Sequence, residues 1–202
     1  MNTAAAVDRL NTHLPLAPRQ AALDDHLRSV HRSVLHAFAN TGAPPRLDPP
    51  DARKLAALDL LVLGEDAVVV GAYPFTTAAT DHLVILPRGT TNAMCSLDAL
   101  AIAPVFWSRT RVESRCAVTG VPIVIEQDGD TVLFADPPEP WIGIRWQDPD
   151  GHAALSMCQA MVFFADEVAA KTWQAGDVDG VGLFPLDEAV RFAAGFFGPL
   201  VG

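Results

Sequence analysis

Cys95 and Asp98 stand three positions apart in AMCSLDAL, residues 93–100, among small and apolar neighbours. On a helix, positions i and i+3 share a face, so the carboxylate can approach the sulfur. A thiol in the first helical turn is also eased toward its thiolate by free backbone N–H groups and the helix dipole. Asp98 can then take the proton that the thiol gives up. Soft thiolates select soft metals. Chelation alone has no use for a carboxylate beside them, whereas a reaction that must move a proton does. The same residues also fit a bland arrangement, a buried cysteine serving as a small hydrophobe and an aspartate on the surface or capping the helix. Taken alone, the short stretch leaves both open.

The chain has three cysteines, the other two being Cys116 and Cys158. An odd count without CxxC spacing argues against both a disulfide framework and a zinc-finger pattern, so a site shared by thiols must be assembled by folding. Cys158 lies in SMCQAMVFF, which reads as a largely apolar strand. Alternation then puts Met157, Gln159 and Met161 on one face and Cys158, Ala160 and Val162 on the other, without saying which faces the core. Cys116, with Val112 and Val118 nearby in RVESRCAV, reads as one inward position of a strand. His152, six residues before Cys158, is a candidate further metal ligand. His31 and His36, on the first long helical pattern, read as partly exposed. No phosphate loop, GxSxG, HExxH or paired carboxylate motif is present.

The elements that must position these residues change texture near residue 75. From Leu23 through Leu27, Val30, Val34 and Phe38 the apolar spacing predicts an amphipathic helix ending before Gly42, Pro44 and Pro45. Pro49 and Pro50 open a second helix, with Asp48 as candidate cap, through DARKLAALDLL. LVLGEDAVVVGAYPF reads as a short hairpin. Beyond residue 80 the segments DHLVIL, RVESRCAV, VPIVIEQ and TVLFA predict antiparallel strands, with turns at Thr119-Gly120 and at residues 128–130. WIGIRW follows a Pro-rich connection, SMCQAMVFF leads into an exposed helix in DEVAAKTWQAG, and LDEAVRFAAGFF closes the chain as a helix.

Composition excludes several classes. Half of the 202 residues are apolar and 19% are charged, the balance of a globular chain of one ordinary domain or two small ones. The formal charge of −10 repels phosphate backbones and anionic lipid. Helices followed by a hairpin suggest a winged-helix-like module. Residues 43–75 nevertheless carry Arg46, Arg53 and Lys54 against Asp48, Asp51, Asp59, Glu65 and Asp66, so the module reads as a scaffold, not a DNA reader. With neither a leader pattern nor a long uncharged apolar run, the protein reads as cytoplasmic, with no nucleic-acid or membrane partner.

The segments AYPFTT, TDHLVIL, NAMCSLDALAIAPVF, RVESRCAVTGVPI and SMCQAMVFFA, with Trp173 downstream, resemble the organomercurial (alkylmercury) lyase family in both wording and order, over roughly residues 66–175. The resemblance implies an α+β fold: a winged-helix-like N-terminal module over residues 1–80, then a catalytic domain over 81–202 with an antiparallel sheet and flanking helices. It implies cleavage of carbon–mercury bonds by two cysteines and an aspartate, which fall on Cys95, Asp98 and Cys158, with Cys116 as a structural thiol. Asn92 and Met94 stand where well-known members have aromatic residues, which bears on substrate fit. The implied chemistry needs no organic cofactor. It leaves Hg(II) as bound product on Cys95 and Cys158 beside Asp98, until external thiols or a mercuric reductase accept it. The rival reading is a non-catalytic binder or sensor of mercury, copper or zinc, and Asp98 discriminates between the two.

Overall fold

The computed structural model describes residues 1–202. The N-terminal part is helical: α1 (Thr3–His13), α2 (Leu16–Ala21), α3 (Asp25–Thr41) and α4 (Pro49–Ala57). The α3 helix follows from its sequence. Asp24 caps it by accepting from the Leu27 N–H, Leu27, Val34, Leu35 and Phe38 fall on the buried face, and Gly42 ends it in the left-handed conformation. The α1 and α2 helices are additions to the sequence expectation. The second expected helix is shorter than its apolar pattern, because the chain leaves the helix at Leu58 and takes a positive φ at Asp59.

The strands are β1 (Val62–Leu63), β2 (Val69–Ala72), β3 (Phe75–Thr76), β4 (Leu83–Leu86) and β5 (Gly89–Ala93). Then come α5 (Ser96–Phe106), β6 (Arg109–Arg115), β7 (Pro122–Asp128), β8 (Thr131–Asp136) and β9 (Trp141–Arg145). The chain closes with β10 (Met161–Phe164), α6 (Glu167–Gln174), β11 (Val181–Pro185) and α7 (Leu186–Phe197). Eight strands form one antiparallel sheet in the order β1-β2-β3-β5-β4-β6-β7-β8, and three form a second in the order β10-β9-β11. The larger sheet is continuous across residue 80, and one buried apolar cluster runs from Ala6 to Leu200. The α+β class with an antiparallel sheet and flanking helices is therefore observed.

The placement of α5 decides where the chemistry sits. Of its residues, Ser96 through Val105 are all buried, so it is apolar on every side and runs through the core, packed against α7, β5, β6 and β10. Pro104 lies within it and has no N–H to return to the Leu100 carbonyl; buried Gln127 of β7 donates to that carbonyl instead, at 3.4 Å. The two sheets are stitched by a single parallel bridge between Cys116 and Phe163, where the Ala117 N–H donates to the Phe163 carbonyl. No helix is long and apolar enough to cross a membrane.

Candidate functional site

The junction from β5 to α5 makes the first half of the site. Cys95 is extended, with φ −154° and ψ −178°, and serves as the N-cap of α5, one position before the expected first turn. Its sulfur accepts the Asp98 N–H at 3.4 Å, while its S–H donates to Asp98 Oδ2 at 2.7 Å. The pair resembles a capping box in which a thiol stands where serine usually does and the carboxylate accepts the S–H instead of the cap's backbone N–H. Apolar α5 has to enter the core at this end, so the cap and its carboxylate go in with it: Cys95 and Asp98 are each 1% exposed.

The second half comes from the connection between β9 and β10. Cys158 is not on a strand. Residues Met157–Ala160 form a 3₁₀ turn and the strand begins only at Met161, so the two-faced alternation expected for SMCQAMVFF does not apply. The turn keeps its polar groups satisfied locally: Gln159 Nε2 donates to the Ala154 carbonyl, and the Met161 N–H returns to the Cys158 carbonyl. It brings the Cys158 sulfur to 3.9 Å from Asp98 Oδ2. One ligand atom each from Cys95, Asp98 and Cys158 lies within 4.8 Å of the others, and all three residues are buried. The three residues singled out from the sequence are the three the fold brings together.

His152 is elsewhere. Its Nδ1 pairs with Asp59 Oδ1 at 2.8 Å, and this candidate further ligand takes no part in the thiol cluster. Asp59 is the hub that straps the Cys158 connection to the N-terminal part. It also accepts the Ala153 N–H, the Tyr73 hydroxyl and Arg19 Nη1, and Tyr73 in turn accepts the Ala154 N–H. His31 is likewise not partly exposed but 1% exposed, fixed between Gln20 and the Leu60 carbonyl. The single buried face of α3 carries it inward, whereas His36 on the opposite side stays exposed. Cys116 lies just past the end of β6, buried, with its sulfur accepting the Thr119 N–H at 3.4 Å.

Burial sets the electrostatics. It pushes the Asp98 carboxyl up to about 7, against the downward pull of the bonds from both thiols. It pushes the Cys95 thiol well above the ordinary cysteine value, and the neighbouring Cys158 and Asp98 add to that. The bond with Cys95 draws the Cys158 thiol down, but burial and the charges of Asp98 and Asp59 outweigh it, so this thiol too is raised. The helix N-terminus was expected to favour a Cys95 thiolate; desolvation overrides it. At rest the sulfurs therefore keep their protons, and a thiolate forms when a metal replaces the proton. One oxygen of Asp98, Oδ1, is buried with no hydrogen-bond partner, leaving a carboxyl atom free to meet whatever the sulfurs hold.

A cavity of about 650 Å³ leads to the cluster, lined among others by His82, Met94, Cys116, Cys158 and Met161. It reaches Cys158 but not Cys95 or Asp98, and Met161 on its wall has its sulfur 3.5 Å from that of Cys95. His82 on the cavity wall, neutral because burial lowers it to about 4, has Nδ1 2.8 Å from Ser114 Oγ. Sequence reasoning missed Asp59 and Tyr73, which touch the site only through the strap, and Met161, whose proximity depends on the 3₁₀ turn.

The alkylmercury lyase (MerB) family model matches residues 75–198. Among curated proteins, an alkylmercury lyase of Pseudomonas putida is 29% identical over 114 residues, covering 56% of this chain and 53% of the relative. An alkylmercury lyase of Bacillus cereus is 26% identical over 119 residues, covering 59% and 54%. The chain thus spans about half the length of the curated relatives it matches. The crystal structure of the mercury-bound form of MerB2 superposes with a TM-score of 0.78 at 18% identity, covering 95% of this chain and all of that one, which establishes a shared fold.

Proposed function

The chain belongs to the alkylmercury lyase family, and from that premise we propose that it cleaves carbon–mercury bonds, releasing a hydrocarbon and retaining Hg(II). The observation that carries this reading is the carboxylate held 2.7 Å from one buried thiol and 3.9 Å from a second. A binder needs the sulfurs; only a protonolysis needs the carboxyl between them.

The sequence of events follows from access and proton inventory. An organomercurial thiolate enters the cavity and meets Cys158, the one thiol of the Cys95–Asp98–Cys158 cluster on its wall. Exchange there forms the Cys158 sulfur–mercury bond, and the displaced thiolate leaves with the Cys158 proton. Cys95 then bonds to mercury as its own proton passes to Asp98 Oδ2. The second sulfur raises electron density on the mercury-bound carbon. The Asp98 carboxyl, titrating near 7, gives the proton to that carbon as the carbon–mercury bond breaks. Hydrocarbon departs, Hg(II) remains on Cys95 and Cys158, and the carboxylate is restored. Every proton is supplied by the two thiols, so this route calls on no organic cofactor.

In this reading external thiols or a mercuric reductase take the metal, the setting is the cytoplasm, and the N-terminal helices with the β1–β2 hairpin act as a winged-helix-like scaffold without DNA affinity. Incubation of the purified protein with phenylmercury and excess thiol should give benzene over many turnovers. Folded protein that binds phenylmercury on its cysteines and never releases benzene would instead be a soft-metal binder.

A further inference from the structure

Met161 occupies a place that packing alone does not explain. It is the first residue of β10, paired with Ile144, and follows the 3₁₀ turn that carries Cys158. It stands three residues after Cys158, one position past the end of the turn and already in extended conformation. Both line the cavity, and the thioether sulfur of Met161, rather than a methylene, faces the other thiol: its Sδ is 3.5 Å from Cys95 Sγ. The cavity wall includes Cys158 and Met161 but neither Cys95 nor Asp98, so an ion bridging the two thiols would have this thioether beside it, 3.5 Å from the Cys95 sulfur.

We propose that Met161 is a third sulfur donor of the site, coordinating mercury held between Cys95 and Cys158. The inference rests on the reading that those thiols hold mercury. A thioether is soft, so it is matched to mercury and poor for harder ions. It is also neutral and carries no proton. A third thiolate would bring another charge into a pocket where burial already holds the Asp98 carboxyl near 7. A thioether raises the coordination of the metal with no added charge and no proton to dispose of. On the organomercurial, the extra donor pushes electron density toward the carbon that Asp98 protonates; on the product, it slows the loss of Hg(II).

The test uses the whole chain grown with selenomethionine and loaded with one equivalent of Hg(II). X-ray absorption at the selenium edge should show a mercury neighbour, while the mercury edge shows two thiolate sulfurs. Met161→Leu should abolish the mercury–selenium signal and keep the thiolates, whereas Met94→Leu should keep both. Stripping of Hg(II) by a competing monothiol should become at least about tenfold faster in Met161→Leu, since loss of a group that merely supports a ligand already weakens metal binding by about 10- to 100-fold. Two thiolate sulfurs without a selenium neighbour would overturn the role of Met161 alone. Absence of the thiolates as well would overturn the mercury reading and this inference together. The wild-type spectrum decides the matter even if Met161→Leu fails to fold.

Discussion

Asp98→Asn should make the protein more stable above neutral pH and nearly inactive at the same time. The folded chain holds the Asp98 proton with a pKa of about 7, against 3.8 for an ordinary aspartate. A raised pKa in the folded state means that its stability contribution is fully present below about pH 4 and is lost as pH rises through about 7. At about 1.4 kcal/mol per unit, the ionised carboxyl costs the wild type up to about 4 kcal/mol at pH 8. Asparagine does not titrate and can still accept the Cys95 S–H. Its amide nitrogen at the partnerless Oδ1 position adds a penalty of about 1–3 kcal/mol that is independent of pH. The slope is therefore the test. In urea unfolding at pH 5, 6, 7 and 8, the stability of the variant minus that of the wild type should climb by about 3 kcal/mol between pH 5 and 8 and flatten above it. Phenylmercury should still bind, with benzene released about 10²- to 10⁴-fold more slowly. Parallel pH curves would refute the buried-carboxyl argument, and wild-type cleavage would refute the role of the carboxyl as acid.

Cys95→Ser and Cys158→Ser should instead weaken capture itself, because a hydroxyl is a poor ligand for a soft metal; equilibrium dialysis with labelled phenylmercury distinguishes this from the Asp98→Asn result. Cys116→Ser should keep the chemistry and lose about 1–2 kcal/mol of stability, since a buried hydroxyl needs hydrogen bonds that a thiol does not; a fully stable but inactive variant would contradict it. Asp59→Ala removes the acceptor shared by His152, Ala153, Tyr73 and Arg19, and should lower Tm while raising KM for phenylmercury more than it lowers kcat. An unchanged KM would show that the strap does not position Cys158.

What was legible in the sequence depended on how local its causes are. The i, i+3 relation of Cys95 and Asp98 is a property of one helix start, and it holds in the fold down to the capping contact. The strands β6 and β7 likewise announce themselves by alternation, and their pairing from Arg109 with Asp128 to Arg115 with Pro122 is regular. Cys158 could be named only by resemblance, because its position relies on a 3₁₀ turn in a connection that Asp59 and Tyr73, far away in the chain, anchor at Ala153 and Ala154. The β5 strand was hidden in RGTTNAM, where polar residues and a glycine give no apolar alternation and pairing to β3 and β4 supplies the order. In VGLFP, the β11 strand ends directly at the start of α7, so no turn marks its boundary.

The thiol energetics also bear on which ions the site accepts. Were Cys95 and Cys158 ionised at rest, any divalent cation with moderate affinity for thiolate could settle there. Burial raises both thiols instead, so each bound metal must displace protons that the folded site holds tightly. Zinc, a borderline ion that needs four donors, meets two raised thiols, one carboxyl and a thioether that suits it poorly. Mercury forms its strongest bonds with two sulfurs and gains from the thioether. The burial that raises Asp98 to about 7, and that on the proposed reading makes it an acid at neutral pH, is thus the same feature that disfavours ordinary cellular metals. Loosening it, for instance through the Asp59 strap, should harm selectivity and proton delivery together.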